Sequence, residues 1–340
     1  MSQLHLLVAD IGGTNARFGL VEPGQGPDQS NPQAGFLANH QITLKCAEHT
    51  GIAAMAKAYC EQLGIAIPAY ACLAVAGPIE EGQVKMTNLD WSVSIEEMRQ
   101  ELGMKALYVI NDFAALAYAT PFLKPHELHS LRTGKADPEA AMVVMGPGTG
   151  FGMAALVPVN NDWKILPTEG GHCSFAPIND KELAIRQFAA QSQSHVSIED
   201  LISGRGLVTI YKALCHRANK TAEDLTPADV STRAIANTDA VCRDALESFC
   251  LMLGSIAGDK ALSLGAKGGV FLGGGIIPKI ADFIRNTDLL TRFTQKGPMS
   301  GYLEDIPIGI IVNDKAALVG TAAWLVNHTP ELHKAFYSQS

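Results

Sequence analysis

A short turn near the N-terminus carries an acid, two glycines and a hydroxyl residue directly after an apolar run. The run covers residues 6–9, and Asp10, Gly12, Gly13 and Thr14 follow it. Strand-like residues resume after the turn, which predicts a β-hairpin. Glycines let backbone N–H groups approach an anion without a Cβ in the way, and a carboxylate can hold Mg²⁺ through water. An ordinary Gly–Gly turn is the alternative, but the flanking acid and hydroxyl favour a hairpin that binds phosphate and metal.

The same pattern occurs a second time in the chain. A strand-like run at 141–145 leads into a glycine-rich turn, 146–152, which contains Thr149 and Gly150, and another strand-like run follows at 153–157. We interpret the two copies as a weak internal repeat, one in each lobe. Two glycine–threonine turns in separate lobes could grip a polyphosphate from both sides.

A third strand-like run, 269–272, ends in Gly273, Gly274 and Gly275, where a nucleoside could lie against the backbone. None of these turns is a standard nucleotide fingerprint, because neither G-x-G-x-x-G nor G-x-x-x-x-G-K-[ST] occurs. The sequence therefore gives no support to a Rossmann dehydrogenase or a P-loop NTPase. H-E-x-x-H and G-x-S-x-G are also absent, which removes two common hydrolase signatures.

The length of the chain and the order of its predicted elements indicate the fold class. At 340 residues the chain exceeds the size at which one hydrophobic core usually keeps growing, so we expect two lobes. Strands alternate with helices in the first part, which predicts an α/β fold with a mixed or parallel sheet. From residue 181 to about residue 264 the pattern is mainly helical, and it includes a long helix at 240–264.

Charge and cysteine usage limit the partners and the compartment. A formal net charge of −8 disfavours nucleic acid and anionic membranes as partners. The 7 cysteines form no C-x-x-C pair and are odd in number, which is typical of free thiols in a reducing cytosol. No signal peptide is evident at the N-terminus, and glycines and prolines interrupt the uncharged run at 140–161, which argues against a transmembrane helix. We expect a cytoplasmic protein.

Asp112 is the best candidate for a general base. It follows a predicted strand at 106–110, and α/β proteins place ligand-handling residues at the carboxyl ends of strands. Its neighbour Asn111 can both donate and accept hydrogen bonds. The alternative is purely local, since an aspartate at a strand-to-helix junction is a common N-cap.

Two further polar side chains suit the binding of a polyol. Glu169 and His172 flank two glycines in a flexible turn, and together they can accept hydrogen bonds from hydroxyls and donate to them. Glu199 lies at the start of a predicted helix after Ser197. Incidental loop residues are the alternative for this pair, and the residues alone explain Glu199 by a favourable helix dipole.

A set of motifs in order along the chain resembles the bacterial-type glucokinase family of the hexokinase–actin superfamily. The turn at 10–17 resembles the first phosphate motif of that superfamily, 146–152 the second, and 273–276 the adenosine motif. The family match is narrowed by these further segments: Ala76-Gly77-Pro78, Met86-Thr87-Asn88, Ile110-Asn111-Asp112-Phe113, Pro167-Thr168-Glu169-Gly170-Gly171-His172 and Leu201-Ile202-Ser203-Gly204. The resemblance covers about residues 6–325.

The resemblance implies a two-lobed, ribonuclease H-like α/β fold of the actin/hexokinase type, with the active site in the cleft between the lobes. We expect a small lobe of 1–112 plus 315–340 and a large lobe of 113–314. The implied activity is ATP-dependent, Mg²⁺-requiring phosphorylation of glucose by a cytoplasmic homodimer, with Asp112 as the catalytic base. The implied sugar ligands are Asn88, Asn111, Asp112, Glu169, His172 and Glu199. The implied ATP ligands are Asp10, Gly12, Gly13, Thr14, Thr149, Gly150, Gly273 and Gly274, and Asp10 also holds Mg²⁺ through water.

One departure from the family pattern and three rival functions remain at this point. Relatives often have Pro where this chain has Arg205, beside the expected sugar-binding helix, so its effect on specificity is open. Cys173 stands alone after His172, without the zinc-binding cysteines of the related repressor/kinase family, which favours the zinc-free branch. The rivals are a kinase for another hexose, such as mannose or an N-acetylated amino sugar, a non-catalytic sugar sensor, and, more distantly, a dehydrogenase.

Overall fold

A computed structural model describes residues 4–22, 36–86, 89, 91–160 and 162–337. The chain divides into two compact units: unit 1 combines Met1–Leu128 with Asn313–Ser340, and unit 2 is His129–Val312. The boundary expected after residue 314 lies close to the observed one after Val312. The boundary expected after residue 112 lies well before the observed one after Leu128. The segment 113–128 belongs to unit 1, because its helix packs against the helix Ala316–Asn327 of that unit.

Unit 1 is built on a mixed five-stranded sheet. Its strands are β1 (Leu6–Ile11), β2 (Asn15–Val21), β3 (Asn39–Lys45), β4 (Tyr70–Val75) and β8 (Ala106–Asn111). Their spatial order is β3-β2-β1-β4-β8, in which β1 pairs antiparallel with β2 and parallel with β4, and β4 pairs parallel with β8. A small antiparallel sheet consists of β5 (Ile79–Glu80), β6 (Gln83–Met86) and β7 (Trp91–Ser94).

The helices of unit 1 cover the five-stranded sheet. They are α1 (Ile52–Leu63), α2 (Ile95–Glu101), α3 (Asp112–Ala119), α12 (Ala316–Asn327) and α13 (Pro330–Tyr337). Alternate residues of β1 share a core with α1 and α2, whereas α12 packs on β1, β4 and α3. The residue pattern predicts Thr50 as the N-cap of α1, which is wrong: Gly51 takes that place, without a side-chain cap. The segment Ser94-Ile95-Glu96-Glu97 has the sequence of a capping box, and the Ser94 hydroxyl accepts from the Glu97 N–H as the N-cap of α2.

Unit 2 contains a second mixed sheet. Its strands are β9 (Leu128–Arg132), β10 (Met142–Pro147), β11 (Phe151–Val159), β12 (Asp162–Thr168), β13 (Gly269–Leu272) and β14 (Ile308–Ile311). The order is β12-β11-β10-β13-β14-β9. The strands β12, β11 and β10 pair antiparallel, as β3, β2 and β1 do in unit 1. The strands β10, β13 and β14 pair parallel, as β1, β4 and β8 do in unit 1. The repeat predicted from the two glycine–threonine turns is therefore present in the sheet topology.

A helical layer covers the sheet of unit 2. Its helices are α4 (Asp180–Ala189), α5 (Ile198–Leu201), α6 (Gly204–Arg217), α7 (Pro227–Ile235), α8 (Ala240–Leu264), α9 (Ala281–Arg285), α10 (Leu289–Thr294) and α11 (Ser300–Glu304). The long helix α8, which the sequence predicts with the same limits, packs against α6, α7 and α10 and supplies the centre of the core. Among the helices that the structure describes, none is long and apolar enough to cross a membrane.

Candidate active site

In unit 1 two carboxylates lie at the same edge of the sheet. Asp10 is next to the last residue of β1, and Asp112 begins α3 directly after β8. Strand β4 lies between them, and its Ala74 is in register with both Asp10 and Ile110. Because the three strands are parallel, their carboxyl ends bring the two acids to one place.

The environment of Asp112 favours its neutral form. Burial of the carboxyl, with the neighbouring Asp10 as a second cause, raises the pKa of Asp112 to about 7. The Phe113 N–H opposes this shift by donating to Asp112 Oδ1 at 2.8 Å. The N-cap of α3 is Asn111, whose Oδ1 accepts from the N–H groups of Phe113 and Ala114. Asp112 is thus not the N-cap, and its pKa matches the requirement for a general base near neutral pH.

Asp10 is also a carboxyl with a raised pKa. Burial is the main cause, and the charge of Arg17, opposite it on β2, acts in the other direction. Arg17 is held in turn by Asp314: its Nη1 donates to the backbone oxygen at 2.6 Å, and its Nη2 lies 3.1 Å from Oδ2. Asp314 comes directly after unit 2 in the chain and just before α12, and through Arg17 it contacts the first hairpin.

Backbone and thiol hydrogen bonds hold the first glycine turn closed. The Gly12 N–H donates to the Asn15 oxygen at 3.0 Å, and Cys46 donates from its N–H to the Thr14 oxygen and from its Sγ–H to the Gly12 oxygen. Thr14 is exposed and Gly13 is partly exposed. The backbone of the turn is therefore fixed while its tip stays open to a ligand. Asn88, a further sugar ligand expected in the N-terminal part of the chain, lies outside the described residues.

In unit 2 the second glycine turn packs against Glu199. The Phe151 N–H donates to Glu199 Oε2 at 2.8 Å, and a Cβ at position 150 would overlap the same carboxylate oxygen. This close approach explains why residue 150 is glycine. The Gly204 N–H, at the start of α6, donates to the Gly148 oxygen at 3.0 Å. The turn that contains the exposed Thr149 is therefore joined to both α5 and α6.

The turn containing Glu169 and His172 lies against the same segment. Its glycines form a short 3₁₀ turn, Gly170–His172, and a Cβ on Gly171 would overlap the Phe151 oxygen. The Ile198 N–H donates to the Cys173 oxygen at 2.9 Å, which joins this turn to α5. The side chains of Glu169 and His172 are both exposed, with His172 Nε2 3.8 Å from Glu169 Oε2. They are available to a ligand next to Glu199.

The third glycine turn packs directly on the second. The Gly273 N–H donates to the Met145 oxygen at 2.9 Å. Gly274 has a φ of +83°, and a Cβ there would lie 2.7 Å from the Pro147 oxygen. Both the backbone conformation and the contact require glycine at position 274. Parallel pairing of β10 with β13 thus brings Thr149, Gly150, Gly273 and Gly274 to one end of the sheet in unit 2.

An ion pair on Glu199 was not expected from the sequence. Arg205 Nη2 lies 2.9 Å from Glu199 Oε1 and 3.2 Å from Asp200 Oδ1. Burial acts to raise the pKa of Asp200, but hydrogen bonds from Ser197 and the charge of Arg205 outweigh it and lower that pKa. The charge at position 205 is visible in the sequence, but its partners depend on how α5 meets α6. The hydrogen bond from the Phe151 N–H to Glu199 was likewise not expected, because nearly every residue has a backbone N–H and the sequence does not show which of them contacts a side chain.

The donor set in unit 1 restricts how a metal ion could be held. Among the described residues, no group of three or more His, Cys, Asp or Glu side chains is placed to hold a metal ion. A single carboxylate with water and phosphate oxygens is a usual set for Mg²⁺, which keeps much of its hydration shell. Asp10, beside an open glycine turn, fits this kind of site.

Comparisons with known proteins identify the family to which this chain belongs. The family model described as glucokinase matches residues 7–328. A glucokinase of Chromobacterium violaceum is 42% identical over 323 residues, which are 95% of this chain and 89% of that protein. The crystal structure of glucokinase from an Antarctic psychrotroph is 40% identical with a TM-score of 0.86, covering 95% of this chain and 99% of that one.

A more distant structure has the same fold. The ROK family glucokinase from Streptomyces griseus, in complex with glucose and AMPPNP, is 19% identical with a TM-score of 0.64, covering 94% of this chain and 99% of that one. The fold is that of the hexokinase-like, actin-type ATPases. With a family match over nearly its whole length, and relatives of about 40% identity, the chain belongs to the glucokinase family.

Proposed function

We propose that the chain transfers the γ-phosphoryl group of ATP to the 6-hydroxyl of D-glucose, giving ADP and glucose 6-phosphate, with Asp112 as the general base. Family membership supports the reaction. The observation that carries the assignment of the base is the Asp112 carboxyl beside Asp10, with a pKa raised to about 7. Such a group is partly ionised at neutral pH and is basic enough to accept a proton.

In this proposal Asp112 acts on the attacking hydroxyl. Its carboxylate accepts the proton of the 6-hydroxyl while that oxygen forms a bond to the γ-phosphorus, and the bond from phosphorus to the β-phosphate oxygen breaks. The Phe113 N–H orients the carboxylate from one side. The Asp112 proton is then released to solvent, since the group titrates near neutral pH.

The remaining side chains of the site bind the sugar. We assign Asn88, Asn111, Glu169, His172 and Glu199 to glucose hydroxyls. Carboxylates accept hydrogen bonds from hydroxyls, whereas amides and imidazole can also donate. The contacts among Glu199, Phe151 and the Gly170–His172 turn support a shared sugar site in unit 2.

The glycine turns bind ATP in this proposal. Backbone N–H groups around Gly12, Gly13, Thr14, Thr149 and Gly150 face phosphate oxygens, and the turn at Gly273 and Gly274 accepts the adenosine. Asp10 would hold Mg²⁺ through water, and the ion would supply positive charge next to the phosphates. The complex of the Streptomyces griseus protein with AMPPNP, an ATP analogue, supports ATP as the donor in this fold.

The test is ADP release by the purified protein with Mg-ATP and a panel of hexoses, alongside Asp112→Asn. We expect glucose to be the best substrate. The variant should lose at least about a thousandfold in kcat while its glucose affinity stays within about tenfold. Asp180→Asn is the matched control, because Asp180 begins α4 as Asp112 begins α3 but is exposed; it should keep full activity.

Other outcomes would change the proposal in defined ways. Normal turnover by Asp112→Asn would remove Asp112 as the base. Preference for mannose or an N-acetylated amino sugar would make the chain a kinase for another hexose, and glucose binding without turnover would make it a sugar sensor. The homodimer and the cytoplasmic location stay predictions, and light scattering on the purified protein would test the first.

A further inference from the structure

We propose that Arg205 is a positioning residue for the sugar site: it fixes the Glu199 carboxylate in the orientation that accepts a glucose hydroxyl, and so sets the affinity for glucose. The inference rests on the proposed function, because it takes Glu199 to be a sugar ligand. Arg205 itself is assigned no contact with the substrate.

The first observation is that each oxygen of Glu199 has its own donor. Oε2 accepts from the Phe151 N–H at 2.8 Å, and Oε1 accepts from Arg205 Nη2 at 2.9 Å. Two donors on different oxygens fix the plane of a carboxylate, whereas one donor leaves it free to turn about that contact. Since each carboxylate oxygen has two acceptor positions, both oxygens keep capacity for a substrate hydroxyl.

The second observation is that Arg205 is itself held in place. The same Nη2 lies 3.2 Å from Asp200 Oδ1. The other oxygen of Asp200 accepts from both the N–H and the hydroxyl of Ser197, in a capping box at the start of α5. The orientation of Glu199 is therefore determined by a series of contacts that runs from Ser197 through Asp200 and Arg205.

The third observation separates this role from one in stability. The side chain of Arg205 is 62% exposed, whereas that of Glu199 is 19% exposed. Ion pairs with such an exposed partner add little to the free energy of unfolding, because water screens the charges. Removal of Arg205 should thus leave the fold intact and change mainly the geometry of Glu199.

The experiment measures the KM for glucose and kcat of Arg205→Met at saturating Mg-ATP, together with the glucose Kd by calorimetry. We expect the KM and the Kd to rise about fivefold to tenfold, with kcat within about twofold, because a charged hydrogen bond to substrate is weakened equally in ground and transition states. Arg205→Lys should restore the KM to within about threefold of the parent, since one ammonium nitrogen can replace the single Nη2 that serves both carboxylates.

A double-mutant cycle with Glu199→Gln distinguishes positioning from direct contact. If Arg205 acts through Glu199, Arg205→Met should change the KM less than twofold in the Glu199→Gln background. If Arg205→Met still raised the KM fivefold to tenfold in that background, Arg205 would contact the sugar itself, and the inference would be overturned.

Failure of the inference and failure of the proposed function give different results. If Glu199→Gln raises the KM and Arg205→Met does not, the inference is wrong and the sugar site stands. If Glu199→Gln leaves the KM unchanged, the assignment of Glu199 falls and the inference falls with it. Arg233→Met is the matched control, because it removes an arginine that pairs with Glu223 and Asp239 on the surface of the same unit; it should change neither constant.

Discussion

At the scale of single residues, the site holds Asp112 in an environment that opposes its charge. Burial and the nearby Asp10 raise its pKa to about 7, compared with 3.8 in an unfolded chain. A carboxyl with a raised pKa binds its proton more tightly in the folded state, so folding is favoured less as the pH rises. The same environment that suits Asp112 to the proposed role of base therefore costs stability at the pH where its carboxyl is ionised.

We expect this cost to be measurable by comparing Asp112→Asn with the parent protein across pH. Between about pH 4 and pH 7 the folded parent binds more protons than the unfolded chain, so its free energy of unfolding falls relative to that of the variant. Above pH 8 the variant should be more stable by about 2–4 kcal/mol, and below pH 4 the difference should vanish. Urea unfolding at each pH without ligands measures it.

The pH dependence of the rate should reflect the same carboxyl group: activity should rise with pH, whereas stability falls. The kcat/KM for glucose should fall about tenfold per pH unit below about pH 7 and be constant above it, since only the carboxylate accepts a proton. Asp180→Asn provides the control in both experiments, because its carboxyl is exposed. A stability difference between Asp112→Asn and the parent that stays constant from pH 4 to pH 8 would contradict the assigned pKa.

The identity of these residues could be read from the sequence, but their interactions could not. Asp112 follows a strand and is predicted as a base for that reason. That Asp10 lies close enough to raise its pKa depends on β4, which lies between β1 and β8 in the sheet. Similarly, Glu199 is expected to be a sugar ligand only through the family resemblance, and its contacts with Phe151 and Arg205 require the turn, α5 and α6 to be packed together.

At the scale of elements, the position of Asp112 depends on the packing of α3 against α12. A Cβ on Gly320 of α12 would overlap the Ala115 backbone oxygen of α3. The two helices thus approach as closely as glycine allows. Because Asp112 is the first residue of α3, the place of its carboxylate is determined by this helix pair as well as by β8.

We expect Gly320→Ala to destabilise the protein by about 1–3 kcal/mol, because the added methyl group forces two backbones apart. The displacement of α3 should also lower kcat by about tenfold or more, since catalysis is sensitive to small errors in position. Urea unfolding and steady-state kinetics measure the two effects. Gly301→Ala is the control: Gly301 lies inside α11, a Cβ there meets no atom within 4 Å, and alanine in a helix should not lower the stability. Equal stability of the two variants would show that the helices separate without cost.

The elements that sequence patterns predict well are those with strong local signals. The limits of α8 are predicted correctly because an N-cap aspartate and a C-terminal Gly265 with φ +60° bound a long apolar segment. In contrast, β12 and β14 were not predicted. β12 lies at the edge of the sheet, contains Pro167 and is mostly exposed. β14 is an apolar run of only four residues, which periodicity alone does not distinguish from a buried helix segment.

At the scale of the whole molecule, each unit has a core of its own built on the same sheet arrangement. In unit 1 the core joins the five-stranded sheet to α1 and α2. In unit 2 it joins the larger sheet to the layer around α8. The two glycine–threonine turns hold equivalent positions, after β1 in unit 1 and after β10 in unit 2, and this equivalence could be inferred from the sequence. The buried ionic cluster of unit 2 could not.

This cluster ties three helices of unit 2 together. Arg292 on α10 lies 2.7 Å from Glu182 on α4, and its Nε and Nη2 donate to the Ser255 hydroxyl on α8. The Ile178 N–H and the Asn179 amide donate to the same glutamate. Arg292 is 7% exposed and Glu182 is 2% exposed, so removal of either partner would leave a charge in the interior.

We expect Arg292→Met to lower the free energy of unfolding of unit 2 by about 3–5 kcal/mol, because the Glu182 carboxylate stays buried without its partner. The double variant Glu182→Gln/Arg292→Met should recover most of that loss, since it buries no net charge. Arg233→Met, which breaks an exposed pair in the same unit, should cost less than about 1 kcal/mol.

Hydrogen exchange followed by mass spectrometry can distinguish the unfolding of the two units. Peptides from α8 should lose protection in Arg292→Met while peptides from β1 and β4 keep theirs, because the cluster belongs to the core of unit 2. Equal loss in both sets of peptides would mean that the two cores unfold as one.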